Sequence, residues 1–256
     1  MQVVAHRGAS HEIAEHTLAA YAEAIRIGAD GLECDVRLTA DGHLVCVHDR
    51  NLRRIASSRG LISAMTLEEL NRHDFASWKH QWADLDDEAP MVDRETGVLT
   101  LRKLLETVAD AGRRVELAIE TKHPTRYGGL VERRLAHLLD EFGWTGLDSP
   151  VRVMSFSYTA LQRMQRLAPK LQLVQLIEKA HHWPMLRRLV EPDWIIGPGI
   201  GELRDHPGLG KHLNLAEREI HVWTVNTEAE LRLCQELGVT AVISDRPAYM
   251  LELLGR

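Results

Sequence analysis

The sequence predicts an α/β fold, a single (β/α)8 TIM barrel, and three observations carry that reading. Eight short apolar runs read as parallel strands and alternate with helical runs. The chain has 256 residues, the usual length for one such barrel. No glycine-rich dinucleotide fingerprint follows any strand, which argues against the alternative, an open doubly wound sheet. No linker of Pro, Gly or Ser character and no short-period repeat divides the chain. Residues 1–256 therefore read as one barrel domain, with a β-hairpin after the second strand and a small insertion over about 50–97.

The elements follow in order. Val3 to His6 is a short apolar strand. A helix follows from Thr17, a plausible N-cap, to near Gly28, with Leu18, Tyr21, Ala22 and Ile25 recurring at helical spacing. The next unit spans residues 31–49. In a strand, residues two apart share a face, so Glu33 and Asp35 point together while Leu32, Cys34 and Val36 point the other way. Leu44 to Val47 follows too soon for a helical crossover, so it returns antiparallel through an Asp41-Gly42 turn. With those two residues as the loop, Asp35 falls opposite His48. Residues 50–97 are polar and irregular, apart from a helix signal at Thr66 to Leu70, and read as an insertion over one mouth of the fold. Helices are expected at Leu99 to Ala111, Leu130 to Phe142, Ala160 to Leu167 and Glu228 to Leu237. The further strands are Val115 to Thr121, Val151 to Ser155, Leu171 to Ile177, Trp194 to Ile196, Ile220 to Val225 and Ala241 to Ser244.

Composition excludes several functions. A net charge of −6 leaves no electrostatic footprint for nucleic acid or anionic membrane. No apolar run approaches the ~20 residues of a membrane span. The chain enters a strand at once, with no room for a signal peptide. Cys34, Cys46 and Cys234 are odd in number and not in metal spacing, as for buried thiols in a reducing compartment. A cytoplasmic location is expected. The sequence carries no signature of oligomeric state.

Functional groups of a parallel barrel sit at the C-terminal ends of its strands. The first strand ends in His6-Arg7-Gly8. The second carries Glu33 and Asp35, with His48 on its hairpin partner. The strand from Val115 places Glu116, Ala118, Glu120 and Lys122 on one face, and the penultimate strand ends Val222-Trp223-Thr-Val-Asn226. Two carboxylates side by side repel, and a divalent cation is their simplest partner. Carboxylates with Arg and Lys fit a metal-assisted reaction on a phosphate, and two histidines fit proton transfer in both directions. Other readings stand beside these: a surface hairpin with solvated acids, a surface ion pair for Arg7, a mutual salt bridge for Glu120 and Lys122, and a core role for Trp223. Asp245, before Arg-Pro, reads as a turn or cap residue.

The chain resembles the glycerophosphodiester phosphodiesterase family over nearly its full length. The resemblance rests on His6-Arg7-Gly8-Ala9-Ser10, on Glu15 and Thr17, on Glu33-Cys-Asp35 leading through Leu-Thr-x-Asp-Gly to His48-Asp49, and on Met65 to Leu70. It continues through Glu120-Thr-Lys122, Val222 to Asn226 and Ile243 to Pro247. It implies a (β/α)8 barrel that hydrolyses glycerophosphodiesters to glycerol 3-phosphate and an alcohol with one divalent cation, Mg2+ or Ca2+. It implies that Glu33, Asp35 and Glu120 hold the metal, that His6 and His48 are general base and acid, that Arg7 and Lys122 hold the phosphate, and that Trp223 lines the substrate pocket. The stretch 50–97 then corresponds to the family's insertion on the leaving-group side. The family usually has Pro-Glu-Asn-Thr where this chain has Ala14-Glu15-His16-Thr17. Glu15 is expected to support Arg7 or the metal from behind, and His16 puts a supporting hydrogen bond in question and could add a pH-dependent contribution. Two alternatives remain, a related phospholipase of lysophospholipase D or C type and a non-catalytic phosphoester-binding barrel. With no activated Ser or Cys, the nucleophile is water or the glycerol hydroxyl beside the ester. Related barrels that cleave phosphoinositides use the substrate's own hydroxyl, so a cyclic phosphate intermediate is expected here.

Overall fold

The computed structural model describes residues 1–79, 96–215 and 217–256. Its first half runs β1 (Gln2–His6), α1 (Leu18–Arg26), β2 (Gly31–Leu38), β3 (Leu44–Cys46), α2 (Arg53–Ala56), α3 (Leu67–Leu70), α4 (Leu101–Ala109), β4 (Glu116–Thr121) and α5 (Leu130–Glu141). It continues through β5 (Val151–Ser155), α6 (Tyr158–Leu167), β6 (Gln172–Ile177), α7 (Trp183–Leu186), β7 (Ile195–Pro198), α8 (Ile200–Asp205), α9 (Pro207–Leu215), β8 (His221–Trp223), α10 (Glu228–Glu236), β9 (Ala241–Ser244) and α11 (Pro247–Leu253). Eight parallel strands pair in the order β7-β6-β5-β4-β2-β1-β9-β8, and two parallel bridges, Ile196 with Ile220 and Gly199 with Trp223, join the ends. The result is a nearly closed (β/α)8 barrel.

Strand alternation sorts the side chains into two layers. Leu32, Cys34, Val36, Leu117 and Ile119 point outward into the apolar shell between sheet and helices. Val4, Ala118, Met154, Val174, Ile195 and Ile243 fill the barrel axis. Below that plug, at the N-terminal end, Arg152 donates to Gln2 Oε1 at 2.9 Å and contacts His221, all within the barrel. Above it, at the C-terminal end, the inward positions become acidic and basic. Helix starts are fixed by side-chain caps: Thr17, Thr100, Ser157 and Thr227 each accept from a backbone N–H of the first turn.

The hairpin departs from expectation by one residue. Strand β3 pairs antiparallel with β2, as the sequence predicts, but Val36 faces Cys46 and Leu38 faces Leu44. The loop is Thr39 to His43, closed by Thr39 N–H donating to the His43 carbonyl at 2.9 Å. Asp35 therefore pairs with Val47, whose N–H donates to its carbonyl, and not with His48. The physical reason lies in Thr39: its hydroxyl binds Asp41 and accepts from His43 N–H, which stabilises a wider turn than Asp41-Gly42 alone would make.

The stretch expected as an insertion falls outside the described residues at 80–95. Where described, it is more ordered than its polar composition suggests. Leu52, Ile55, Ile62, Leu70, Phe75 and Val98 pack on Val45 and Val47 as a small separate core. A capping box of Thr66 and Glu69 starts α3 at the predicted place. Single apolar residues scattered among polar ones show no periodicity, so the sequence hides this core. Helices α2, α7, α8, α9 and α11 are additions to the expected set; α2, α7 and α8 span 4, 4 and 6 residues, too few for a periodic signal.

Candidate active site

Register builds the site. In the β1–β2 pair, His6 stands beside Glu33; in the β2–β4 pair, Asp35 stands beside Glu120. Glu33 and Asp35 share the inner face of β2. Hence one carboxylate oxygen from each of Glu33, Asp35 and Glu120 lies within 4.8 Å of the others, all three residues being buried. Burial pushes the Glu33 carboxyl well up, and the Asp35 charge pushes it further. Glu120 is raised to about 8 by burial and again by Asp35. Burial would also raise Asp35, but Lys122, His16 and Arg7 outweigh it and keep that carboxyl well below its ordinary value.

Two cations face the three acids. Lys122 Nζ lies 2.8 Å from both Asp35 Oδ1 and Glu120 Oε1, so it bridges two strands rather than pairing with Glu120 alone. Arg7 Nε lies 3.0 Å from Asp35 Oδ2, and its Nη1 donates to Glu15 Oε1 at 3.0 Å. Three carboxylates thus face two cations, and without a further cation Glu33 and Glu120 are driven toward their protonated forms. Asp35 Oδ1, although close to Lys122, has no aligned hydrogen-bond donor. A hard divalent cation fits that donor set: three carboxylates and no sulfur.

Both imidazoles are anchored by an aspartate at Nδ1. His6 Nδ1 lies 2.6 Å from Asp245 Oδ1 and His48 Nδ1 lies 2.8 Å from Asp49 Oδ1. Each Nε2 is thereby turned away from its aspartate, and that of His6 is 3.9 Å from Glu33 Oε2. With Nδ1 carrying the proton toward the carboxylate, Nε2 of the neutral ring can accept a proton and Nε2 of the imidazolium can give one, so a base and an acid need opposite charge states at the start. Burial lowers the His48 pKa, with Lys122 and Arg7 opposing the Asp35 charge.

Asp245 is the residue that sequence reasoning missed. It caps no turn of its own; its carboxylate accepts from Asn226 Nδ2 at 2.7 Å and Ser10 Oγ at 3.1 Å as well as engaging His6. Burial works to raise this carboxyl, but His6 and Asn226 carry it far below the ordinary range. The signal was available. Ser244 pairs with Ala5 at the top of β9, so the next residues along, Asp245 and His6, are neighbours. Arg54 of α2 was also missed: it links Glu15 and Asp49 through three hydrogen bonds of 2.7–2.8 Å that join the Arg7 and His48 sides of the site. It also helps hold the Glu15 carboxyl down at about 2, against burial.

His16 takes its place inside the site. It is buried, its Nε2 lies 3.0 Å from Asp35 Oδ2, and its Nδ1 lies 2.8 Å from the Tyr21 hydroxyl. The supporting hydrogen bond that the substitution put in question is therefore made, and burial lowers the imidazole's pKa. Arg7 and His16 both adopt φ of +59°, and His16 N–H donates to the Arg7 carbonyl. Left-handed backbone at two non-glycine residues is strain of the kind that accumulates where side chains must be aimed. Trp223 is half-buried at the end of β8, its Nε1 donating to the Gly197 carbonyl at 2.9 Å and its ring meeting Phe156 edge-on at 5.5 Å.

Comparison with known proteins identifies the family. The model of the "Glycerophosphoryl diester phosphodiesterase family" matches residues 6–249. The chain belongs to that family. It is an enzyme of the glycerophosphodiester phosphodiesterase type. The chain is 41% identical over 249 residues to a probable glycerophosphodiester phosphodiesterase 1 of Mycobacterium tuberculosis, covering 96% of this chain and 89% of the relative. A glycerophosphodiester phosphodiesterase of Bacillus subtilis is 31% identical over 250 residues, covering 95% of this chain and 83% of its own. Among solved structures, an Oleispira antarctica phosphodiesterase in complex with its product sn-glycerol-3-phosphate superposes with a TM-score of 0.82 at 25% identity, over 100% of this chain and 97% of that one. Among the described residues, no helix is long and apolar enough to cross a membrane.

Proposed function

We propose that this chain hydrolyses glycerophosphodiesters to glycerol 3-phosphate and an alcohol, with one divalent cation, Mg2+ or Ca2+, held by Glu33, Asp35 and Glu120. The observation that supports this most is the buried acidic triad with two aspartate-anchored imidazoles beside it. When bound, the cation would withdraw charge from a phosphoryl oxygen and from a hydroxyl beside it. Arg7 and Lys122, already at the rim of the triad, hold the phosphate, and Glu15 fixes Arg7 from behind. Trp223 walls the glycerol side. Cytoplasmic turnover of small diesters released from phospholipids fits this reading.

The proton path follows from the two histidines. His6 Nε2 takes the proton of the glycerol hydroxyl next to the ester, whose oxygen forms a new bond to phosphorus. The bond from phosphorus to the alcohol oxygen breaks, and His48 protonates that oxygen as it leaves. A cyclic glycerol phosphate remains. His48 then takes a proton from water as the water oxygen attacks phosphorus, and His6 returns its proton to the departing ring oxygen. Each imidazole ends in its starting state, as a general acid–base pair requires. An intramolecular hydroxyl also has a high effective molarity.

The test is release of glycerol 3-phosphate from choline, ethanolamine and inositol diesters, with and without chelator. Release that needs a divalent cation supports the reading. No release from any of the diesters with Mg2+ or Ca2+ present would overturn it and favour a phosphoester-binding barrel.

A further inference from the structure

A second feature lies beside the site, over β2 and β4, whereas His6 and Asp245 belong to β1 and β9. It is a cavity of about 420 Å3 between the loop after β4 and the segment after β3. Its walls carry Arg37, Arg50, Lys122 and Arg126. Among the described residues no carboxylate lines it, in a chain whose net charge is −6. The Tyr127 hydroxyl donates to the Ser63 carbonyl and ties the two lips together.

The cavity connects to the chemistry at two points. Lys122 belongs to both, with its ammonium on Asp35 and Glu120. Arg37 donates through Nε and Nη2 to the carbonyl of His48, at 2.9 and 2.7 Å. Its partner there is neutral. Arg50 and Arg126 are exposed at the rim, Arg126 standing 5.8 Å over the Tyr127 ring. This is an excess of positive charge, partly desolvated and partly unmatched, and an anion placed there would relieve it.

We infer that this cavity receives the leaving alcohol of the substrate and favours alcohols that carry an anionic group of their own, a phosphate or a carboxylate. The inference rests on the proposed hydrolysis, in which His48 protonates the leaving oxygen. Arg37, on the His48 carbonyl, and Lys122, on the acids, place the cavity next to the segment that carries that imidazole. The glycerol half is neutral and gains nothing from four cations. A choline or ethanolamine head would add a fifth.

Four diesters of matched size test this: sn-glycerol 3-phosphate esterified to ethylene glycol, ethanolamine, glycolate and phosphoethanol. The expected order of kcat/KM is phosphate, then carboxylate, then neutral, then ammonium. The phosphate-to-neutral ratio should be about tenfold or more and should shrink as ionic strength rises. In the double variant Arg50→Gln, Arg126→Gln that ratio should fall about tenfold. Equal kcat/KM across the four diesters, or a preference untouched in the double variant, would overturn the inference. Calorimetric binding of the four corresponding non-hydrolysable phosphonate diesters reads the same order without turnover. If no diester were cleaved, the hydrolase reading would fail while the phosphonates still decide for or against an anion-selective cavity.

Discussion

His6 Nδ1 lies 2.6 Å from Asp245 Oδ1, although 239 residues separate them in the chain. The contact ties the end of the first strand to the residue that follows the last, at the mouth where the acids gather. It holds the His6 ring by Nδ1 and turns Nε2 away from the aspartate.

In the proposed mechanism Asp245 acts as a positioning residue for His6, and the first prediction concerns it. Asp245→Asn keeps the shape and the Asn226 neighbourhood but loses the charge that orients the imidazole. We expect kcat to fall by about 10²-fold or more with KM changed little. Asp245→Glu should recover part of the loss. A merely structural Asp245 would instead lower the melting temperature and spare kcat per folded molecule.

The triad makes a prediction about metal that can be read without turnover. Glu33, Asp35 and Glu120 repel one another when the site holds no cation. Mg2+ or Ca2+ should then raise the melting temperature of chelator-treated protein, by mass action on the folded state. Glu33→Gln should fold, lose most activity, and need far more cation for the same thermal shift. An unchanged melting temperature in saturating cation, with wild-type activity in chelator, would rule out the metal site.

How far the sequence went can be judged residue by residue. The pairing of Glu33 with Asp35 was legible because strand alternation is a local rule, and Cys34 does point outward with Leu32 and Val36. The barrel was legible from alternating patterns of two kinds. Register was less so: Thr39 widened the hairpin by hydrogen bonds that no periodicity records, and Asp35 met Val47. Asp245 was set aside because Asp before Arg-Pro looks like a local turn signal, while its partners, His6, Ser10 and Asn226, lie far off in sequence or on another strand. Arg54 stood in a segment whose few apolar residues gave no pattern. The misses are long-range polar contacts, which composition and period do not encode.

The barrel floor gives a prediction about acid stability. His221 is buried beside Arg152, and burial first, with that guanidinium adding to it, lowers its pKa to about 4, against a hydrogen bond to the Glu219 carboxylate. The folded state thus prefers the neutral ring. Its contribution is full above the unfolded value near 6.5 and is lost as pH falls through the window from about 6.5 to 4, an effect of about 3 kcal/mol. His221→Asn cannot take up that proton. Between pH 7 and 4.5 its melting temperature should fall several degrees less than that of the wild type. Parallel curves for the two proteins would mean that His221 is already protonated in the fold.

In the proposed mechanism two anchored imidazoles cleave the diester by setting the substrate's own hydroxyl on phosphorus. The most direct measurement is the single-turnover rate on a diester in which the glycerol hydroxyl next to the ester is replaced by hydrogen. Water attack would not need that hydroxyl; a cyclic phosphate would. We predict that cleavage falls by several orders of magnitude while binding changes little, as expected when an intramolecular nucleophile of high effective molarity is removed. Cleavage of the deoxy diester at the normal rate would contradict the claim and assign the attack to water.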